Sequence, residues 1–138
     1  MKFKLVILAC ALIATLVVVS ACSSVLGAMA PNKVQADNSY TGKEVEIAQD
    51  GILTITLESN PTTGFAWEVK DIANKDVVKF TSNEFQASET GLIGGGGAEV
   101  WTFKALAKGK TTITMEYSRP WEGGEKAIEV FKLTVIVK

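Results

Sequence analysis

The 138-residue sequence contains no histidine, and its two cysteines, Cys10 and Cys22, both fall within the first 22 positions. Beyond Cys22 the residues needed for Ser-His-Asp or Cys-His catalysis and for the usual zinc sites are therefore missing. A disulfide framework is excluded for the same reason, so any folded domain has to be held by its own core. Basic charge is scarce as well: from Cys22 onward there are 12 basic and 15 acidic side chains, a balance of −3, which leaves no footprint for nucleic acid. Gly109-Lys110-Thr111 has the ending of a phosphate-binding loop, but Lys104 stands where the leading glycine is required. A dinucleotide fingerprint beginning at Gly94 or Gly95 fails because its third glycine would fall at Glu99 or Val100 respectively. The carboxylates of Glu116, Glu122 and Glu125 read as solvated surface. No cofactor or metal is expected, and the chain does not read as an enzyme.

What is present begins with a leader. Lys2 and Lys4 precede an unbroken apolar or small run over residues 5–19, which ends in Val19-Ser20-Ala21-Cys22. Fifteen residues fall short of the ~20 that span a bilayer, so the run reads as an export signal and not as a retained helix. The four closing residues resemble the bacterial lipobox, which implies cleavage after residue 21, a lipid on Cys22 and an extracytoplasmic, membrane-anchored protein. Cleavage after Val34-Gln35-Ala36, releasing a secreted protein, is the alternative. Residues 22–38 show neither helical nor strand periodicity and read as a flexible tether spanning on the order of 20 to 25 Å. The domain is expected over residues 39–138.

Within that domain the apolar residues alternate. Val45 and Ile47 share a face, as do Leu53, Ile55 and Leu57 against Thr54 and Thr56, and Phe65, Trp67 and Val69 follow the same rule. Further strand-like runs cover 77–85, with Val78, Phe80 and Phe85 as apolar members, then 100–106, 111–117 and 127–137. About seven short strands in a hundred residues predict an all-β, immunoglobulin-like antiparallel β-sandwich, with Trp67 as the buried tryptophan of its third strand. Such a scaffold gathers its connections at two ends, so the longer ones carry the functional information.

Three connections stand out. Asn60-Pro61-Thr62-Thr63-Gly64-Phe65 combines a proline that sets its own φ with a glycine free to take positive φ, which predicts a stiff turn. Gly94-Gly95-Gly96-Gly97 places a flexible tip beside the run 100–106. Arg119-Pro120-Trp121 puts a large ring and a cation in a turn, where the ring can serve as an exposed anchor for a partner.

In order and spacing these three segments resemble the chagasin family, and the resemblance covers about residues 40–138. It implies a sandwich whose three loops wedge into the active-site cleft of papain-type cysteine proteases. Thr62, Thr63 and Gly64 would approach the catalytic cysteine, the Gly94 to Gly97 loop would lie along one side of the cleft, and Arg119 with Trp121 would grip the other. The uninterrupted run of four glycines departs from relatives that break it. A lipid-tethered adhesion or carbohydrate-binding sandwich using the same loops is the alternative function.

The lipobox generates a direct test. Cys22→Ala is expected to abolish lipid attachment and leave unprocessed precursor or released protein, as read by mass spectrometry of the mature N-terminus. An unmodified terminus beyond residue 22 in the natural protein would refute the anchor.

Overall fold

The computed structural model describes residues 28–91, 94–119 and 127–138. The proposed leader, Cys22, Pro120 and Trp121 lie outside the described residues. Among the described residues eight strands make up the fold: β1 (Lys33–Asp37), β2 (Lys43–Ile47), β3 (Ile52–Ser59), β4 (Ala66–Ile72), β5 (Val78–Ala87), β6 (Gly97–Ala105), β7 (Gly109–Ser118) and β8 (Glu129–Val137). They form two four-stranded sheets, ordered β1-β3-β6-β5 and β2-β8-β7-β4.

Alternation explains which side of each sheet is apolar. In β3 the inward residues Leu53, Ile55 and Leu57 are buried, while Thr54 and Thr56 lie on the other face. In β7 the inward set is Ile113, Met115 and Tyr117, and in β8 it is Phe131, Leu133, Val135 and Val137. Together with Phe103, Trp101 and Trp67 these residues form one continuous core. Trp67 is buried on β4, as expected, and its indole N–H donates to the Glu58 carbonyl of the opposite sheet at 2.9 Å.

Two expectations require correction. The sandwich is mixed and not wholly antiparallel, because β1 runs parallel to β3 and β2 parallel to β8. The expected tether over 22–38 contains β1, so the ordered sandwich starts by Lys33 and not at residue 39. Pairing with β3, and not the strand's own composition, orders it: of its five side chains only Ala36 is buried. Phe80 and Phe85, apolar members of the run 77–85, are 37% and 42% exposed on β5. β5 is an edge strand, and its register shifts between Phe80 and Ser82. Phe80 still packs on Trp101 and Phe103 at centroid distances of 5.5 and 5.8 Å.

Gly97 lies in β6 between two strands, opposite Ser59 and Ala87. A Cβ there would overlap the Gln86 carbonyl oxygen and stand 2.7 Å from Phe85 Cζ. Gly97→Ala is therefore expected to force β5 away from β6 at a cost of about 1–3 kcal/mol. Thermal melting checks this, with a drop of roughly 4–8 °C per kcal/mol expected for a domain of this size. An unchanged melting temperature would contradict the close approach.

Candidate functional site

The two sheets deliver the expected loops to one end of the sandwich. β3 ends at Ser59, β4 begins at Ala66, and the chain between them crosses from one sheet to the other. β5 ends and β6 begins at the same pole, since Ser59, Ala87 and Gly97 stand in register. β7 ends there too, with Ser118 opposite Ala66.

The first loop closes on itself through local hydrogen bonds. Residues Pro61–Thr63 form a single 3-10 turn, with Pro61 in its first turn, where the missing N–H is no loss. Asn60 caps that turn, its Oδ1 accepting from Thr62 N at 3.2 Å and from Thr62 Oγ1 at 2.6 Å. The Asn60 carbonyl accepts from Thr63 Oγ1 at 2.6 Å and from Thr63 N at 3.1 Å. Gly64 ends the turn at φ 85°, a left-handed conformation that a side chain would strain. Pro61, Thr62 and Thr63 are exposed at the tip, and the predicted stiff turn is what the structure contains.

Each neighbouring segment then holds this loop. Tyr117, buried on β7, accepts the Asn60 N–H at its hydroxyl at 2.9 Å and stacks on Phe65 and Trp67 with centroids 5.5 and 5.1 Å away. From the second connection, the Gly94 carbonyl accepts from Asn60 Nδ2 at 3.4 Å. Arg119 donates from Nε to the Thr63 carbonyl at 3.1 Å and lies 4.4 Å over the Phe65 ring. Arg119, expected to grip a partner, also braces the first loop.

The glycine run is only partly a loop. Gly97 belongs to β6, the Gly96 carbonyl accepts from Ser88 N at 3.2 Å, and Gly94 with φ 80° turns the chain. Gly95 lies between them and is half-buried. Among the expected site residues, Asn60 to Phe65, Gly94 to Gly97 and Arg119 are thus brought together.

Sequence reasoning missed three supporting residues, Ser59, Glu99 and Tyr117. Glu99 Oε1 accepts from Ser59 Oγ at 2.7 Å and from Trp67 N at 3.2 Å. The signal for it was present: Glu99, Trp101, Phe103 and Ala105 share one face of β6, so an acid occupies an inward position. Among the described residues no group of three or more His, Cys, Asp or Glu is placed to hold a metal ion.

A β-sandwich that gathers a capped turn, a glycine loop and an arginine-bearing loop at one pole, without a catalytic constellation in its described residues, is built to present loops to a partner. Residues 46–135 match the family model described as chagasin family peptidase inhibitor I42. Chagasin of Trypanosoma cruzi is 33% identical over 105 residues, covering 72% of this chain and 92% of that protein. The crystal structure of a cysteine protease inhibitor from Entamoeba histolytica superposes with a TM-score of 0.69 at 25% identity, covering 77% of this chain and 96% of that one. The structure of PbICP-C in complex with falcipain-2 shares the fold, with a TM-score of 0.57 at 20% identity, covering 79% of this chain and 94% of that one. The chain belongs to the chagasin family of peptidase inhibitors, and it is an inhibitor and not an enzyme.

The cap on the first loop can be tested in the protein alone. Asn60→Ala removes the acceptor for Thr62 and is expected to cost about 1 kcal/mol of stability, while Asn60→Asp restores it. Thermal melting should place the Ala variant below both the natural protein and the Asp variant. Identical melting of all three would show that the side chain does not hold the turn.

Proposed function

We propose that this chain is a reversible, competitive inhibitor of papain-type cysteine proteases that seats residues 60–65 at the catalytic cysteine, flanked by the Gly94 to Gly97 connection and by the segment Arg119-Pro120-Trp121. Family membership supports inhibition, and the observation that carries the mode of action is the closed first loop. Its exposed tip is already ordered by its own hydrogen bonds and by Tyr117 and Arg119. Little conformational freedom is left to lose on docking, so more of the contact energy appears as affinity.

The same geometry explains why an inhibitor of this kind survives its target. A 3-10 turn closed by a left-handed Gly64 does not lie extended across a cleft as a substrate strand does. The tip offers threonine hydroxyls, with neither a thiol to form a disulfide nor an electrophilic side chain to trap a thiolate, and inhibition in this reading is non-covalent. Pro120 and Trp121 follow Arg119 in the sequence, and Trp121 acts in this reading as the aromatic anchor. A lipid on Cys22 would hold the inhibitor at the outer side of a membrane, where it meets exported proteases.

Titration against papain, with a serine protease as control, tests the reading. Inhibition should reverse on dilution, and intact-mass analysis after long incubation should find neither adduct nor cleavage within residues 62–65; either product, or equal inhibition of the serine protease, would refute it. Trp121→Ala is expected to cost ~2 kcal/mol or more of binding, about 30-fold in Ki, at a nearly unchanged melting temperature. Trp67→Ala, a loss from the core, is expected to cost ~3 to 5 kcal/mol of folding stability. Equal destabilisation by both would remove Trp121 from the contact surface.

A further inference from the structure

Glu99 is the one acidic residue among the buried polar side chains of the described sandwich, 7% exposed, and it stands in register with Leu57 on one side and Phe85 on the other. A carboxylate among such neighbours requires donors. It has two, and they belong to different sheets: Ser59 closes β3 and Trp67 lies one residue into β4. Residues 60–66 are the chain between them. A single oxygen, Oε1, receives both bonds, so the two stems of the first loop can separate by no more than these bonds laid end to end. Because β4 is an edge strand, its Trp67 N–H donates across to the other sheet and not along a ladder. Glu99 also sits two residues after Gly97, at the foot of the second connection.

We propose that Glu99 is a positioning residue for the protease-binding loop: its carboxylate sets the spacing of the loop stems at Ser59 and Trp67 and ties that spacing to the foot of the Gly94 to Gly97 connection. The proposal rests on the reading of residues 60–65 as the inhibitory loop. Glu99 itself touches no protease; it acts through the shape of the loop before docking. Ser59 and Trp67 are the groups through which it acts, so losing the acceptor should loosen residues 60–67 without loosening the strands behind them.

The experiment compares Glu99→Gln, which keeps an acceptor oxygen, with Glu99→Met, which keeps length without one. Amide hydrogen exchange is followed residue by residue in the full unbound protein, and Ki is measured against papain. Glu99→Gln is expected to stay within about threefold of the natural Ki, whereas Glu99→Met is expected to raise Ki at least about tenfold. Exchange at residues 60–67 should quicken in the Met variant while β7 and β8 amides stay as protected as before. Ser59→Ala, which removes one donor only, should move both readouts the same way by less, and it serves if the Met variant does not fold. Natural exchange at 60–67 in the Met variant, equal impairment by Gln and Met, or loss of protection spread evenly over β7 and β8 would each overturn the positioning role. Failure of the natural protein to inhibit papain would sink the functional reading alone, since the exchange pattern still decides what Glu99 does.

Discussion

Between residues 28 and 138 there is no cysteine, so the contact between the inner faces of the two sheets has to carry the fold. Ile47, Leu53, Ile55, Leu57 and Phe103 are fully buried with Ile113, Met115, Phe131, Leu133 and Val135. Burying a side chain of this size contributes about 1.5–3 kcal/mol, whereas exposed ion pairs such as Lys110 with Glu44 and Lys138 with Glu46 contribute about 0–1 kcal/mol each. The core decides stability, and the surface charges decorate it. A scaffold so determined can hold its loops at fixed stems, which is what an inhibitor working by shape requires.

The polar groups at the loop pole extend that constraint into the loops. Trp67 donates to Glu58 from its ring and to Glu99 from its backbone, which joins the sheets twice beside the first loop. Tyr117 adds a hydroxyl to the Asn60 amide and a ring to Phe65. Arg119 then closes the outer side on Thr63 and Phe65. Each contact is modest alone, but together they act on residues 60–65 and the stems on either side, so the loop has few ways to relax. Rigidity here follows from the number of independent ties and not from any one strong bond.

How much of this could be read from the sequence depended on how local each feature is. The strands β3, β6, β7 and β8 were legible because a two-residue alternation over eight to ten positions is a local pattern. The turn at Asn60 to Gly64 was legible for the same reason, since proline and glycine state their backbone needs in place. β1 was not, because Lys33–Asp37 becomes a strand only by lying beside β3. The exposure of Phe80 and Phe85 depends on where β5 falls in the sheet order, which no run of residues records. Glu99 shows the boundary most clearly: its inward position could be counted along β6, but its meaning required Ser59 and Trp67, 40 and 32 residues away, to arrive beside it.

The parallel pairing of β1 with β3 gives the molecule a polarity. Lys33 stands opposite Ile52, and β3 then runs eight residues to Ser59, so the polypeptide ahead of β1 leaves the sandwich at the pole remote from residues 60–65. At ~3.3 Å per residue that separation is roughly 25 Å. Val137, the last residue of β8, lies at the same remote pole, opposite Ile47 and Gly109. The start of β1 and the end of β8 thus lie together at the end of the sandwich away from residues 60–65. An attachment made through the residues ahead of β1 would therefore join the sandwich at the end opposite its loops, as a handle is set opposite a blade.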